Sequence, residues 1–223
     1  MDCKMVVLDL DGTLLNDEKT ISDKNAHILN ELHKQGVHIV IATGRNYYMA
    51  KISIEGIKLT EPVILANNGA VVRRYVNDEF IESNYLDFSI FEKIYEQGLK
   101  HGLNPIIHVD EYHKGYDIIY ECENYEEVYR GYIKKDYKRT KHQKFKEEEI
   151  KNILSVCYFN EYQKLLEFKN EIEKIPGEFN IILNQNLRNW SLLELLNING
   201  CKWRALKKYI DSIGIDAAQV IAM

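Results

Sequence analysis

Cysteine is scarce and unpatterned in this chain. Cys3, Cys122, Cys157 and Cys201 stand far apart, and no two form a C-x-x-C pair. That pattern suits four reduced thiols in a cytoplasmic protein better than a disulfide framework or a zinc site. Long hydrophobic runs are missing too. None approaches the ~20 residues needed to cross a bilayer, and no basic segment leads into an apolar core at the N-terminus. No membrane partner is expected. Positive charge is also in short supply, with 29 Lys and Arg against 34 Asp and Glu and a net charge of −5. That balance argues against broad nucleic-acid binding, though not against a local basic pocket.

What the chain does have is the composition of a globular protein, 45% hydrophobic and 28% charged, over 223 residues. That length suffices for one large domain or two modest ones. Its organising stretch is Met5–Leu15, an apolar run that ends in Asp9 and Asp11 and passes at once into Gly12 and Thr13. In an extended chain residues i and i+2 point the same way, so the two carboxylates can face one site. Gly12 permits a sharp turn, and Thr13 offers a hydroxyl to free amides. Two acids at the carboxyl end of a strand can hold a hard divalent cation and leave an oxygen free to react. Two other readings fit parts of the pattern. One is an Asp-Gly hairpin pairing Val6–Leu10 with Leu14 and Leu15. The other is a calcium loop, in which Gly12 and Glu18 have the right mutual spacing but Val7 holds the first ligand position.

Downstream, Ser22 caps an expected helix carrying Ala26, Leu29, Leu32 and His33 and stopped by Gly36. Val37–Ala42 then reads as a buried parallel strand. A right-handed crossover between the two strands puts Thr43, Gly44 and Arg45 at the same sheet edge as Asp9 and Asp11. A hydroxyl and free amides at a helix mouth suit a phosphate oxygen, with Arg45 at the rim. Pro62–Ala66 reads as a third strand, and Asn67-Asn68-Gly69 as a tight turn that places Asn68 at the same rim.

From about Phe80 Lys and Tyr become frequent. Helices expected over 88–101, 125–137 and 161–174 alternate with strands over 106–109, 118–121, 153–159 and 179–183. This predicts an α+β domain over 82–187 inserted into a first domain formed by 1–81 and 188–223. Phe91, Ile94, Tyr95 and Leu99 should share one buried helix face, and Tyr125, Tyr129 and Tyr132 should pack on the sheet. His108, Asp110 and His113 are metal-ligand types, but they straddle a strand end and a Tyr-rich turn and read as exposed loop. Trp190–Leu196 is expected as a strand of the first domain, followed by a helix opening at Lys202 and a strand over Val220–Met223. A lysine in a first helical turn opposes the helix dipole, which points to an anion beside it.

Together, Asp9-Leu10-Asp11-Gly12-Thr13, Ala42-Thr43-Gly44-Arg45, Asn68-Gly69 and Lys202 with Ala205-Leu206 resemble the haloacid dehalogenase (HAD) superfamily. The large insertion between the second and third motifs resembles its Cof-type phosphatases of subclass IIB. The resemblance implies an α/β fold, with a Rossmann-like parallel-sheet core and an inserted α+β cap. It implies a Mg²⁺-dependent phosphatase for a small phosphorylated metabolite such as a sugar phosphate. Asp9 would be the nucleophile, forming an aspartyl-phosphate, and Asp11 the acid and then the base. Mg²⁺ would be held by the Asp9 carboxylate and the Asp11 backbone carbonyl, and Thr43, Gly44 and Lys202 would hold the phosphoryl oxygens. Trp203 stands where the family commonly has Gly. Relatives also follow the final strand with a Gly-Asp-x-x-Asn-Asp segment that completes the Mg²⁺ site, and this sequence stops at Met223, just before it. The expectation is therefore a truncated chain of low turnover, with a non-catalytic phosphometabolite-binding protein as the alternative. Nothing in the sequence marks an oligomeric state.

Overall fold

The computed structural model describes residues 3–55, 62–124, 129, 132–133, 137–147, 149–187 and 190–223. They form two compact units, Met1–Asn84 with Asn199–Met223, and Tyr85–Ile198.

In the first unit the apolar runs become neighbouring parallel strands. β1 (Met5–Leu8) pairs with β2 (His38–Ala42), and β2 with β3 (Val63–Ala66), in registers that set Val7 opposite Val40 and Ile41 opposite Ile64. β4 (Val71–Arg74) and β5 (Phe80–Ser83) continue the sheet antiparallel, and β12 (Val220–Ala222) adds to β1 in parallel, giving the order β12-β1-β2-β3-β4-β5. Helix α1 (Asp23–Lys34) starts where the Ser22 hydroxyl accepts the Asn25 amide, and α2 (Tyr47–Ser53) where the Asn46 side chain accepts the Met49 amide. A further helix, α5 (Lys202–Ser212), buries Ala205, Leu206, Tyr209 and Ile210 against Met5, Val7, Val40, Ala42 and Leu65. Val6 and Leu8, pointing the other way, share an apolar groove with Leu29 and Leu32 of α1. Both faces of β1 are thus covered, which is why the strand is apolar at every position rather than at alternate ones.

The second unit is an almost wholly antiparallel sheet, ordered β10-β11-β9-β6-β7-β8. Its strands are β6 (Ile106–Val109), β7 (Ile118–Tyr120), β8 (Thr140–His142), β9 (Ile153–Asn160), β10 (Phe179–Leu187) and β11 (Trp190–Asn197). One face packs on α3 (Phe88–Lys100) and α4 (Tyr162–Ile172) through Phe91, Ile94, Tyr95, Leu165 and Phe168. Leu99, expected on that buried face, is exposed, and Gly98 takes its place. A Cβ on Gly98 would stand 2.9 Å from the Tyr158 ring, so α3 lies too close to the sheet there for any side chain. On the other face Tyr129 and Tyr132 lie against Phe159, as expected. The rest of the helix expected over 125–137, with Tyr125, lies mostly outside the described residues.

The domain boundary differs from the sequence reading. Trp190–Asn197 pairs along its length with β9 and β10, so this strand belongs to the inserted unit and the junction falls at Asn199 instead of 188. The mixed α/β architecture itself is the one expected. No helix among the described residues is long and apolar enough to cross a membrane.

Candidate active site

Asp9 follows β1 directly, Thr43 follows β2 and Asn67 follows β3, so the parallel register delivers all three to one sheet edge. The backbone then turns sharply after Asp9. The Leu14 amide donates to the Asp9 carbonyl at 3.2 Å and the Leu15 amide to the Leu10 carbonyl at 2.9 Å, with Gly12 at φ +77°. The bridge between Asp11 and Leu15 is parallel, which removes the Asp-Gly hairpin reading. Glu18, which a calcium loop would need as a ligand, is hydrogen-bonded by the Asn16 side chain at 3.3 Å.

The Asp9 carboxylate is held at both oxygens. Oδ1 accepts the Leu10 amide at 2.7 Å, and Oδ2 accepts Lys202 Nζ at 3.1 Å. Lys202 is the first residue of α5, and no side chain caps that helix. The anion that its position against the dipole called for is the Asp9 carboxylate.

Asp11 is gripped by a different cation. The Arg45 guanidinium forks onto it, Nε to Oδ2 and Nη2 to Oδ1, both at 2.8 Å, while Nη1 reaches Ser53 Oγ. Lys19 adds a third contact, Nζ to Oδ1 at 3.0 Å. Hydrogen bonding by Arg45 outweighs desolvation and, with Lys19, lowers the Asp11 pKa from 3.8 to about 2. With its folded pKa depressed, Asp11 stabilises the fold above its ordinary pKa and loses that contribution as pH falls through about 2. Arg45→Ala should move the Asp11 titration midpoint upward from about 2 toward 3.8, as read by ¹³C-carboxyl NMR. A midpoint unmoved by the substitution would show that Arg45 is not the main cause.

Lys19 was not among the residues singled out from sequence. A signal was present, because Asn16 is a turn former: its Oδ1 accepts the Thr20 amide at 2.9 Å and folds residues 16–20 back on themselves. Lys19, at φ +61°, thereby points home to Asp11.

Thr43 is 1% exposed, and its hydroxyl oxygen accepts the Arg45 amide at 3.1 Å, leaving its proton available to an acceptor. Gly44 lies under Asn68: a Cβ there would come 3.2 Å from the Asn68 Oδ1. The edge therefore brings together Asp9 with Lys202, Asp11 with Arg45 and Lys19, and the Thr43 loop with Asn68. His108, Asp110 and His113 do not converge. His108 is buried on β6 beside the Tyr132 hydroxyl rather than in an exposed loop, and burial lowers its pKa to about 4. Asp110 accepts the Tyr85 hydroxyl at 2.8 Å, and His113 packs on the Tyr112 ring.

Among the described residues no three His, Cys, Asp or Glu side chains form a metal cage. Calcium, which takes six to eight oxygens, does not fit. Mg²⁺ asks for less, being commonly held by one or two carboxylates with water and substrate phosphate supplying the rest. The carboxylate this edge offers is Asp9, because Asp11 is taken up by Arg45 and Lys19.

A family model for haloacid dehalogenase-like hydrolases matches residues 6–223. The chain belongs to that family. Among the proteins it resembles is the Bacillus subtilis 5-amino-6-(5-phospho-D-ribitylamino)uracil phosphatase YcsE. Identity is 34% over 104 residues, covering 47% of this chain but only 41% of YcsE. The B. subtilis phosphatase of the same name, YwtE, is 25% identical over 99% of this chain and 80% of its own length. In fold, the chain is similar to a haloacid dehalogenase-like hydrolase from Bacteroides thetaiotaomicron, with TM-score 0.79 and 22% identity over 99% of this chain and 80% of that one. It is similar also to TM0651 from Thermotoga maritima, with TM-score 0.80 and 19% identity over 99% and 79%.

Proposed function

We propose that this chain hydrolyses a phosphoric monoester of a small metabolite. The observation that carries the reading is the Lys202–Asp9 contact of 3.1 Å, made by residues 193 positions apart at the carboxyl edge of parallel strands. A carboxylate paired with an amine there suits attack on a phosphoryl group whose oxygens need positive charge.

In the proposed first step Asp9 attacks phosphorus, and the bond to the leaving oxygen breaks as Asp11 gives that oxygen a proton. In the second, Asp11 takes a proton from water, the water oxygen bonds to phosphorus, and the bond to Asp9 breaks, restoring its carboxylate. Lys202, the Thr43 hydroxyl and the Gly44 amide hold the transferring oxygens, and Arg45 and Asn68 form the rim. The Asp9 carboxylate and the Asp11 backbone carbonyl would hold Mg²⁺, which when bound would supply positive charge against the phosphoryl oxygens. The substrate class is a phosphorylated sugar or polyol, in keeping with the ribityl phosphate in the names of YcsE and YwtE. All four cysteines are free thiols, which suits the cytoplasmic location that is part of the same proposal.

The test is phosphate release from a panel of sugar phosphates, polyol phosphates, nucleotides and pyridoxal phosphate, with and without Mg²⁺. Turnover that needs Mg²⁺ supports the reading. Calorimetric binding of panel members with no release by any of them refutes it in favour of a binding protein.

A further inference from the structure

Three consecutive residues beside the site, Asn67 (φ +47°), Asn68 (φ +55°) and Gly69 (φ +89°), have left-handed backbone. Non-glycine residues rarely adopt it, and two in succession are retained only where the surroundings hold them. Here the hold comes from the loop after β2. The Asn67 amide donates to the Arg45 carbonyl at 2.8 Å and the Asn68 amide to the Thr43 carbonyl at 3.0 Å. The Asn68 carboxamide lies over Gly44, at the distance that leaves no room for a larger residue without a shift.

On its other side the same turn meets α5. A Cβ on Gly69 would stand 2.8 Å from the Cys201 carbonyl oxygen, 2.9 Å from its carbon and 3.0 Å from the Ala205 Cβ. Two of those three atoms are backbone, so relief means moving the start of the helix. The residue after Cys201 is Lys202, whose amine meets Asp9. One three-residue turn therefore fixes the Thr43–Arg45 loop by hydrogen bonds and the Lys202 end of α5 by contact.

We propose that the Asn67–Gly69 turn is the positioning element of this site, and that Gly69 is a positioning residue acting through Lys202. The bare Cα at 69 sets how near the first turn of α5 comes, and so sets the separation of Lys202 Nζ from Asp9. In its kinetic consequences the inference rests on the phosphatase reading above.

The experiment is a double-mutant cycle together with a crystal structure. Gly69→Ala should lower kcat/KM about 100-fold, the cost of misplacing a catalytic group by roughly 1 Å. Lys202→Ala should lower it ~10²–10³-fold. The double variant should be no worse than Lys202→Ala alone to within about threefold, because a displaced amine that is already absent cannot be lost twice. Multiplying losses would overturn the proposal, since a turn acting only on the general fold would add its effect to any background. Ala205→Val enters the same contact from the helix side without straining the turn, and should give the same non-additivity if Gly69→Ala fails to fold. The crystal structure of whichever variant folds should show Lys202 Nζ drawn beyond hydrogen-bonding range of Asp9. An unchanged 3.1 Å separation overturns the inference. A wild-type chain without turnover would refute the phosphatase reading alone, and the variant's Lys202–Asp9 distance would still decide this one.

Discussion

Asp9→Asn should remove phosphate release, by a factor on the order of 10⁴ or more, and leave the fold in place. The carboxamide has the size and shape of the carboxylate, and its oxygen can still accept the Leu10 amide that Oδ1 accepts at 2.7 Å. What disappears is the anion proposed to attack phosphorus. The ion pair with Lys202 also goes, but both partners are more than a third exposed, so its loss costs no more than about 1 kcal/mol. Activity and thermal unfolding measured on the same sample separate the two effects. A variant melting near the wild-type temperature with no turnover supports the nucleophile assignment, and retention of even a few per cent of the rate removes it.

If Asp11 has the proposed acid and base role, Asp11→Asn should produce a loss that depends on the leaving group. For alkyl phosphates, whose leaving oxygen needs a proton, the first step slows by ~10²–10⁴-fold. For 4-nitrophenyl phosphate, whose phenolate leaves unaided, that step survives. Hydrolysis of the aspartyl-phosphate then lacks its base, so the expected trace is a burst of about one equivalent of nitrophenol followed by a slow phase. Equal slowing of both substrates without a burst would deny Asp11 the acid role. The structure adds a condition. In the free chain Arg45 and Lys19 hold Asp11 ionised, and an arriving phosphate dianion competes for those two cations. The proposed acid role would therefore be favoured as they turn away from Asp11.

The strands and the site edge were legible because several signals agreed. The apolar run Val37–Ala42 read as a buried parallel strand, and pairing it with the acid-tipped run before it through a right-handed crossover set Thr43 at the same edge as Asp9. Lys202 was legible because it offends the helix dipole. What escaped depended on partners far away in sequence. Trp190–Asn197 has the alternation of a strand in either unit, and only its pairing with β9 and β10 decides which. Leu99 matches the helical period, but Tyr158 from β9 pushes the buried stripe onto Gly98. The left-handed turn at Asn67–Gly69 read correctly as a tight turn, yet its contact with Cys201 and Ala205 joins segments more than a hundred residues apart.

The sheet of the first unit is sewn together from distant parts of the sequence: β1 lies between β2 and β12, with Met5 opposite Val220. A ribosome adding ~5–20 residues per second makes Asp9 roughly 10–40 s before it makes Lys202. Throughout that interval the second unit, contiguous from Tyr85 to Ile198, can complete itself, while Met5, Val7, Val40 and Leu65 wait without the helix that covers them. Translation order therefore leaves the apolar face of the parallel strands uncovered longest. It also keeps Asp9 without its lysine until the whole intervening unit has emerged.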